Sequence, residues 1–376
     1  MAKKVRLGII GTSNWAELLY LSTLRDCPDA ELVALCGRNV DRLSDLAERF
    51  GIPGRHTDYR DLLARGDLDA VAVVVPDDLH KEVTLAAVDH GLHVLCEKPL
   101  ANTATDAREM LDAATRAGVR HMVMFTWRWQ PHFQYVKSLI ADGALGRLYR
   151  TQIAFITNFA HDGLYQWRLD PMRANGVLGD LGSHMFDLSR WLCGDEIVSV
   201  SSDLGTAVSR THIAGHDTGR SNNDFAHVVF RYASGCQGVV DVTNVSHDGD
   251  RIVQHVLRIE GETASLELDH VLFGAGENLR MRIFKSGGAT VEVTVPAELY
   301  GAASSDALGI YSSQPVGVRG FASSLRNGTE PAPSFDDGWR AQILVDAALL
   351  SNAERRWVDV GYHPSVRPSG TTWNEG

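Results

Sequence analysis

From Val5 to Phe125 the chain alternates short, wholly apolar runs with stretches in which apolar residues recur every three or four positions. Val5 to Ile10, Glu31 to Cys36, Asp69 to Val75, Leu92 to Cys96 and Arg120 to Phe125 read as strands. Asn14 to Asp26, Val40 to Phe50, Lys81 to Gly91 and Thr103 to Ala117 read as the helices between them. A strand that is apolar at every position is buried on both faces, so these strands belong in a parallel sheet with helices on either side. Right-handed crossovers then give a doubly wound, Rossmann-type domain, expected over residues 1–126. Beyond it, helix patterns appear at Phe133 to Asp142 and Val177 to Cys193. Strand patterns follow at Leu148 to Asn158 and, between Glu196 and Val295, at Ala226 to Tyr232, Gly238 to Val245, Gln254 to Glu260, Ala264 to Leu268 and Met281 to Phe284. Two helices are expected near Gly317 to Arg326 and Gly338 to Asn352, and the polar, Gly-rich stretch Gly205 to Asn223 reads as a long loop. The expected whole is α/β plus α+β. A Rossmann domain precedes an α+β domain, residues 127–376, with an antiparallel or mixed sheet.

A net charge of −11 with no basic cluster argues against a nucleic-acid partner. No apolar run reaches the ~18 residues of a membrane span, and the apolar stretch near the start is too short and Gly-rich for a signal peptide. The five cysteines, Cys27, Cys36, Cys96, Cys193 and Cys236, are widely spaced and odd in number. They read as reduced, mostly buried thiols of a cytoplasmic protein and not as a zinc site.

The first strand runs into Gly11-Thr12-Ser13-Asn14-Trp15-Ala16, a G-x-G-x-x-[GA] pattern with Ser13 at the second glycine. Gly11 suits a tight turn, Ala16 a close helix, and the helix start a dinucleotide pyrophosphate held by backbone N–H groups, with the Ser13 hydroxyl available to donate. The structural alternative is a bare turn, but its place in the first strand–helix unit favours the binding reading. An NAD enzyme usually carries a carboxylate at the end of the second strand. Here Cys36-Gly37-Arg38-Asn39 has none, and Arg38 suits a 2′-phosphate, which favours NADP over NAD.

Two further motifs carry chemistry. Glu97-Lys98-Pro99 ends a parallel strand, on the side where open α/β sheets bind ligands. Gly176-Val177-Leu178-Gly179-Asp180-Leu181-Gly182-Ser183-His184-Met185-Phe186-Asp187 puts Asp180 and His184 four residues apart, on one helical face. A histidine beside a carboxylate is a candidate base for an alcohol proton. Asp180, His184 and Asp187 make a poor metal set, and none is expected. Trp127, Trp129, Phe133, Phe155, Phe159, Tyr165 and Trp167 suit either sugar stacking or the core, and the core is favoured for most of them.

With Val75-Pro76-Asp77-Asp78-Leu79-His80, Trp167-Arg168 and Pro333-Ser334-Phe335-Asp336-Asp337-Gly338 added, the chain resembles the Gfo/Idh/MocA family along nearly its whole length. This family includes glucose-fructose oxidoreductase and inositol dehydrogenases. The resemblance implies a nicotinamide-dependent oxidoreductase acting on a secondary alcohol or ketone of a sugar, anhydrosugar or cyclitol. It implies a catalytic group of Lys98, Asp180 and His184, with His184 exchanging the hydroxyl proton, Asp180 orienting it and Lys98 stabilising the oxygen. Cofactor contacts are expected from Gly11, Thr12, Ser13, Asn14, Arg38, Pro76, His80, Glu97, Lys98 and Arg168. Substrate contacts are expected from Arg128, Trp167, Asp180 and His184. It also implies that residues 127–376 are a substrate-binding and oligomerisation domain built on a large, mostly antiparallel open sheet, and that the protein is a homodimer or homotetramer. Two alternatives stand beside this reading: a same-fold dehydrogenase of a non-sugar such as an aromatic diol, and a non-catalytic dinucleotide-sensing regulator. The regulator would lack Lys98 or His184, and both are present.

Overall fold

The computed structural model describes residues 3–361 apart from 211–221, 248, 274–277, 286, 289 and 303–307. The first half forms β1 (Val5–Ile10), α1 (residues 14–24), β2 (Ala30–Cys36), α2 (Val40–Phe50), β3 (Gly54–His56), α3 (Tyr59–Leu63), β4 (Ala70–Val73), α4 (His80–Asp89), β5 (His93–Cys96), α5 (Ala104–Ala117) and β6 (His121–Val123). The six strands are parallel in the order β3-β2-β1-β4-β5-β6. This is the doubly wound Rossmann arrangement. The order reverses between β1 and β4, so a crevice opens beyond their carboxyl ends, where Gly11 and Pro76 lie.

The second half forms α6 (Pro131–Ala141), β7 (Leu148–Thr157), α7 (residues 178–193), β8 (Ile197–Gly205), β9 (Phe225–Tyr232), β10 (Gln237–Thr243), β11 (Val253–Gly261), β12 (Ala264–Phe273), β13 (Leu279–Lys285), β14 (Thr290–Glu292), α8 (Gly309–Ser313), α9 (Gly317–Asn327), α10 (Phe335–Glu354) and β15 (Val358–Asp359). Nine strands make one sheet, β14-β13-β12-β11-β7-β10-β9-β8-β15, antiparallel except where β10 runs with β7. In β9 and β10 burial alternates residue by residue, as in a sheet covered on one face. The covered face packs α6, α7 and α10 around Phe155, Phe186, Phe230, Leu257 and Leu344.

The expected loop from Gly205 to Asn223 lies largely outside the described residues. Strands β8 and β15, the short β3 and β14, and α3 add to the elements expected from sequence. Packing crosses the expected division at residue 126. Ile310 and Tyr311 of α8 and Val318, Phe321 and Ala322 of α9 complete the apolar layer on one face of the first sheet. Helix α10 belongs to both halves, with Phe335 and Trp339 in the first-sheet layer and Leu344, Val345 and Ala348 in the second core. Its start is fixed by a capping box, Ser334 with Asp337. All five cysteines are unpaired, and burial pushes the thiols of Cys36 and Cys236 up to about 11.

Candidate active site

The turn after β1 is built for close approach. Gly11 has φ +136°, and a Cβ there would lie 2.1 Å from the Val74 carbonyl oxygen. A Cβ on Gly37 would lie 2.3 Å from Cγ2 of Thr12. Both glycines are therefore set by sterics. Ser13 caps α1, its Oγ accepting from the Ala16 N–H at 3.1 Å. The oxygen is thus engaged as a helix cap, and the O–H proton stays available to donate to a phosphate. Helix α1 widens into a π turn at Glu17–Leu21. Asn14 Oδ1 accepts from Arg42 at 3.2 Å. At the end of β2, Arg38 is exposed with no partner among the described residues, while Asn39 caps α2. A dinucleotide fits this region: bare backbone at the turn, exposed N–H groups at the helix start, and an unpaired guanidinium at the ribose position.

The ends of β4 and β5 meet the second domain. Lys98, after β5, donates from Nζ to Asp180 Oδ1 at 2.5 Å and to the Asp180 carbonyl at 2.9 Å. Arg168 lies 3.4 Å from the other Asp180 oxygen and stacks on Trp167, 4.3 Å from the ring centre. Asp180 sits in a π turn, Leu178–Gly182, that leads into α7. Burial opposes its charge, but Lys98 and Arg168 hold the carboxyl well below the usual carboxylate range. His184, two residues into the regular part of α7, is 5% exposed and ringed by Phe125, Trp127 and Phe155 at 5.9, 5.6 and 6.3 Å. Burial and the Lys98 charge lower its pKa well below 6.5, so the imidazole is neutral near pH 7.

Lys98, Asp180 and His184 thus converge, in a different arrangement from the one expected. The carboxylate of Asp180 bonds to Lys98 and Arg168, and His184 feels it only through its charge. The His184 Nδ1 has no hydrogen-bond partner among the described residues. Three other residues expected at the ligands are bonded within the protein. The Glu97 carboxylate, assigned to the cofactor, accepts from Trp15 Nε1 at 2.8 Å and Tyr20 OH at 2.7 Å, bracing α1 against β5. His80, assigned likewise, is fully buried, and its ring nitrogens meet the Pro99 and Val75 carbonyls at 2.8 and 2.9 Å. Both partners accept, so the ring donates twice; burial opposes its charge, but Cys96 and then the two carbonyls raise it to about 9. Arg128, assigned to substrate, is 9% exposed and bonded to Asp187 and Asp337, tying α7 to α10 inside the core. Trp127, Phe133 and Phe155 are buried as core, whereas Phe159 is 49% exposed.

Sequence reasoning passed over Asp77. It follows Pro76 at the end of β4, is 6% exposed, and faces Lys98, Arg168 and Asp180. Burial pushes its carboxyl up to about 8, against the pull of the two cations. Two buried carboxyls share one cationic neighbourhood. The one bonded to Lys98 keeps its charge and the other holds a proton. The Asp-Asp pair after Pro76 was the only signal in the sequence.

Among the described residues, no group of three or more His, Cys, Asp or Glu side chains is arranged to hold a metal ion, and no helix is long and apolar enough to cross a membrane.

Residues 5–125 match an oxidoreductase family with an NAD-binding Rossmann fold, and residues 133–267 match the GFO/IDH/MocA C-terminal domain. A D-apiose dehydrogenase of Paraburkholderia graminis is 30% identical over 360 residues, 95% of this chain and 90% of its own. A levoglucosan dehydrogenase of Pseudarthrobacter phenanthrenivorans is 28% identical over 350 residues, 86% of this chain and 87% of its own. A solved levoglucosan dehydrogenase in complex with NADH superposes with a TM-score of 0.81 at 25% identity, covering 96% of this chain and 100% of that one.

Proposed function

Because this chain belongs to the Gfo/Idh/MocA family of oxidoreductases, we propose that it moves a hydride between a nicotinamide dinucleotide and a secondary alcohol of a sugar, anhydrosugar or cyclitol. The observation that carries the reading is the 2.5 Å bond from Lys98 to Asp180 across the two domains, beside a neutral buried His184.

When bound, the dinucleotide supplies the hydride acceptor, held by the backbone of Gly11 to Asn14 and by Pro76. The protein supplies the proton chemistry. Nδ1 of His184 is enclosed, so Nε2 takes the proton of the substrate hydroxyl. Lys98 spends two N–H groups on Asp180; the third stabilises the oxygen as its charge grows. Asp180 fixes that ammonium and, with Arg168, orients it. Phe125, Trp127 and Phe155 keep bulk water off the imidazole. In the reverse direction His184 returns the proton to a ketone. The unpaired Arg38, and the lack of a carboxylate at the end of β2, support NADP as the preferred cofactor.

A panel of monosaccharides, anhydrosugars and inositols, each tested with NAD and NADP by reduced-nicotinamide absorbance, tests the reading. At least one member is oxidised, and His184→Ala lowers that turnover by about 10²–10⁴-fold with cofactor affinity kept. Comparable turnover by the variant overturns the role given to His184.

A further inference from the structure

Next to His184, across Trp127 and Phe155, the core holds a row of imidazoles that the mechanism leaves unused. His255 on β11 is paired in register with Phe155 on β7 and with His270 on β12. The three side chains therefore lie side by side across the buried face of the sheet. The His255 and His270 rings are stacked, 5.8 Å apart and within 5° of parallel. His132, at the start of α6, lies 4.1 Å from His270. Trp127 touches both His184 and His255, at 5.6 and 4.5 Å, and Phe155 also spans the two. His184, His255, His270 and His132 are 5, 0, 6 and 2% exposed.

These rings have almost no protein partners. Nδ1 of His184, both nitrogens of His255, Nε2 of His132, Nδ1 of His270 and the Nε1 of Trp127 are all buried without a hydrogen bond to any described group. Buried polar atoms are nearly always satisfied, by protein or by ordered water. Six orphans in one contiguous strip, on rings that could have been leucines, call for partners that the described groups do not supply. His184 faces Lys98, Asp180 and His255, while His255 faces His270, which lies beside Asp269. No carboxylate faces His255 to trap a proton on it. Burial keeps the rear imidazoles neutral, aided by neighbouring rings at His132 and His255 and opposed by Asp269 at His270, and neutral rings are the state that passes protons on.

The geometry points to a proton relay: ordered waters join Nδ1 of His184 to His255, and His255 through His270 and His132 to solvent. The inference rests on His184 being the base. The alcohol O–H breaks and its proton bonds to Nε2 of His184. The Nδ1 proton leaves to the first water, and one proton reaches solvent at the far end. The bonding pair of the carbinol C–H leaves as hydride to the bound dinucleotide, so charge and atoms balance. In the reducing direction every transfer runs backwards.

The test has a structural arm and a kinetic arm. A high-resolution crystal structure of the protein without cofactor shows ordered water bonded to Nδ1 of His184 and to His255; a dry strip overturns the relay. His255→Phe keeps the ring shape against Trp127 and Phe155 but removes both nitrogens. Its thermal melt stays at or above that of the parent. Its kcat falls by about tenfold or more with KM unchanged, the solvent deuterium isotope effect on kcat rises, and the pH profile of kcat shifts. His255→Gln, which can still bond water, recovers part of the rate. If His255→Phe keeps the parental pH profile and isotope effect, the relay is wrong. If the parent oxidises none of the polyols, the proposed activity is wrong instead, and the hydration arm still decides whether the strip is wet.

Discussion

Asp77 offers a measurement that needs no substrate. Its carboxyl is 6% exposed, and burial lifts it from 3.8 to about 8. The unfolded chain releases this proton near its ordinary value, while the folded chain keeps it until about pH 8. A raised carboxyl stabilises the fold fully below the unfolded value, and that contribution is lost as pH rises through the folded one. Between about pH 5 and pH 8 the loss runs at about 1.4 kcal/mol per unit, or roughly 4 kcal/mol over the interval. Asp77→Asn keeps the shape and the donor and removes the titration. Other titrating groups, His80 among them, are present in both proteins and cancel in the difference. The variant therefore gains on the parent as pH rises. At about 2 °C per kcal/mol for a chain of this size, the gap between the two melting temperatures widens by roughly 8 °C across that range. Parallel scans of both proteins at matched ionic strength measure it. A gap that stays constant with pH, or narrows, would refute the assignment of a buried, protonated Asp77.

Three further outcomes are expected. Gly11→Ala forces a Cβ to within 2.1 Å of a backbone oxygen at φ +136°; the strain of about 1–3 kcal/mol lowers the melting temperature, and dinucleotide affinity by titration falls more than substrate affinity. Arg38→Ala weakens NADP binding by about tenfold or more and leaves NAD nearly unchanged; equal losses for both would remove the 2′-phosphate reading. His80, held doubly protonated by Cys96 and two carbonyls against its burial, rises from 6.5 to about 9. Its contribution of roughly 3 kcal/mol is complete below about pH 6.5 and fades through about pH 9. His80→Gln accordingly loses most stability against the parent at acid and neutral pH, and least in alkali.

The sequence was most informative where structure is local. The parallel strands of the first sheet, their helices and the turn at Gly11 follow from apolar runs and from residues adjacent in the chain. The long β7 and β9 to β13 followed from the same reasoning, because each carries its own pattern. What escaped depends on contacts far along the chain. Arg128 reads as a ligand contact beside Trp127 until Asp187 and Asp337, 59 and 209 residues on, are seen to hold it. Glu97 and His80 lie at strand ends where ligands bind, but Tyr20 and the Pro99 carbonyl claim them. Asp77 is buried while its neighbour Asp78 is exposed and paired with Arg173, a difference no local pattern records. His255 and His270 are brought together by strand register alone. Short strands such as β3 and β15 are too brief to show a period.

Helices α8 and α9 cover one face of a sheet whose strands all lie before Met124. During synthesis the dinucleotide-binding half therefore leaves the ribosome with Leu7, Ile9 and Leu35 still short of part of their cover. Vectorial production cannot finish the first half first; it waits for nearly the whole chain. A nascent chain arrested before Gly309 would hold that apolar face open to chaperones, and a C-terminal truncation would expose it permanently.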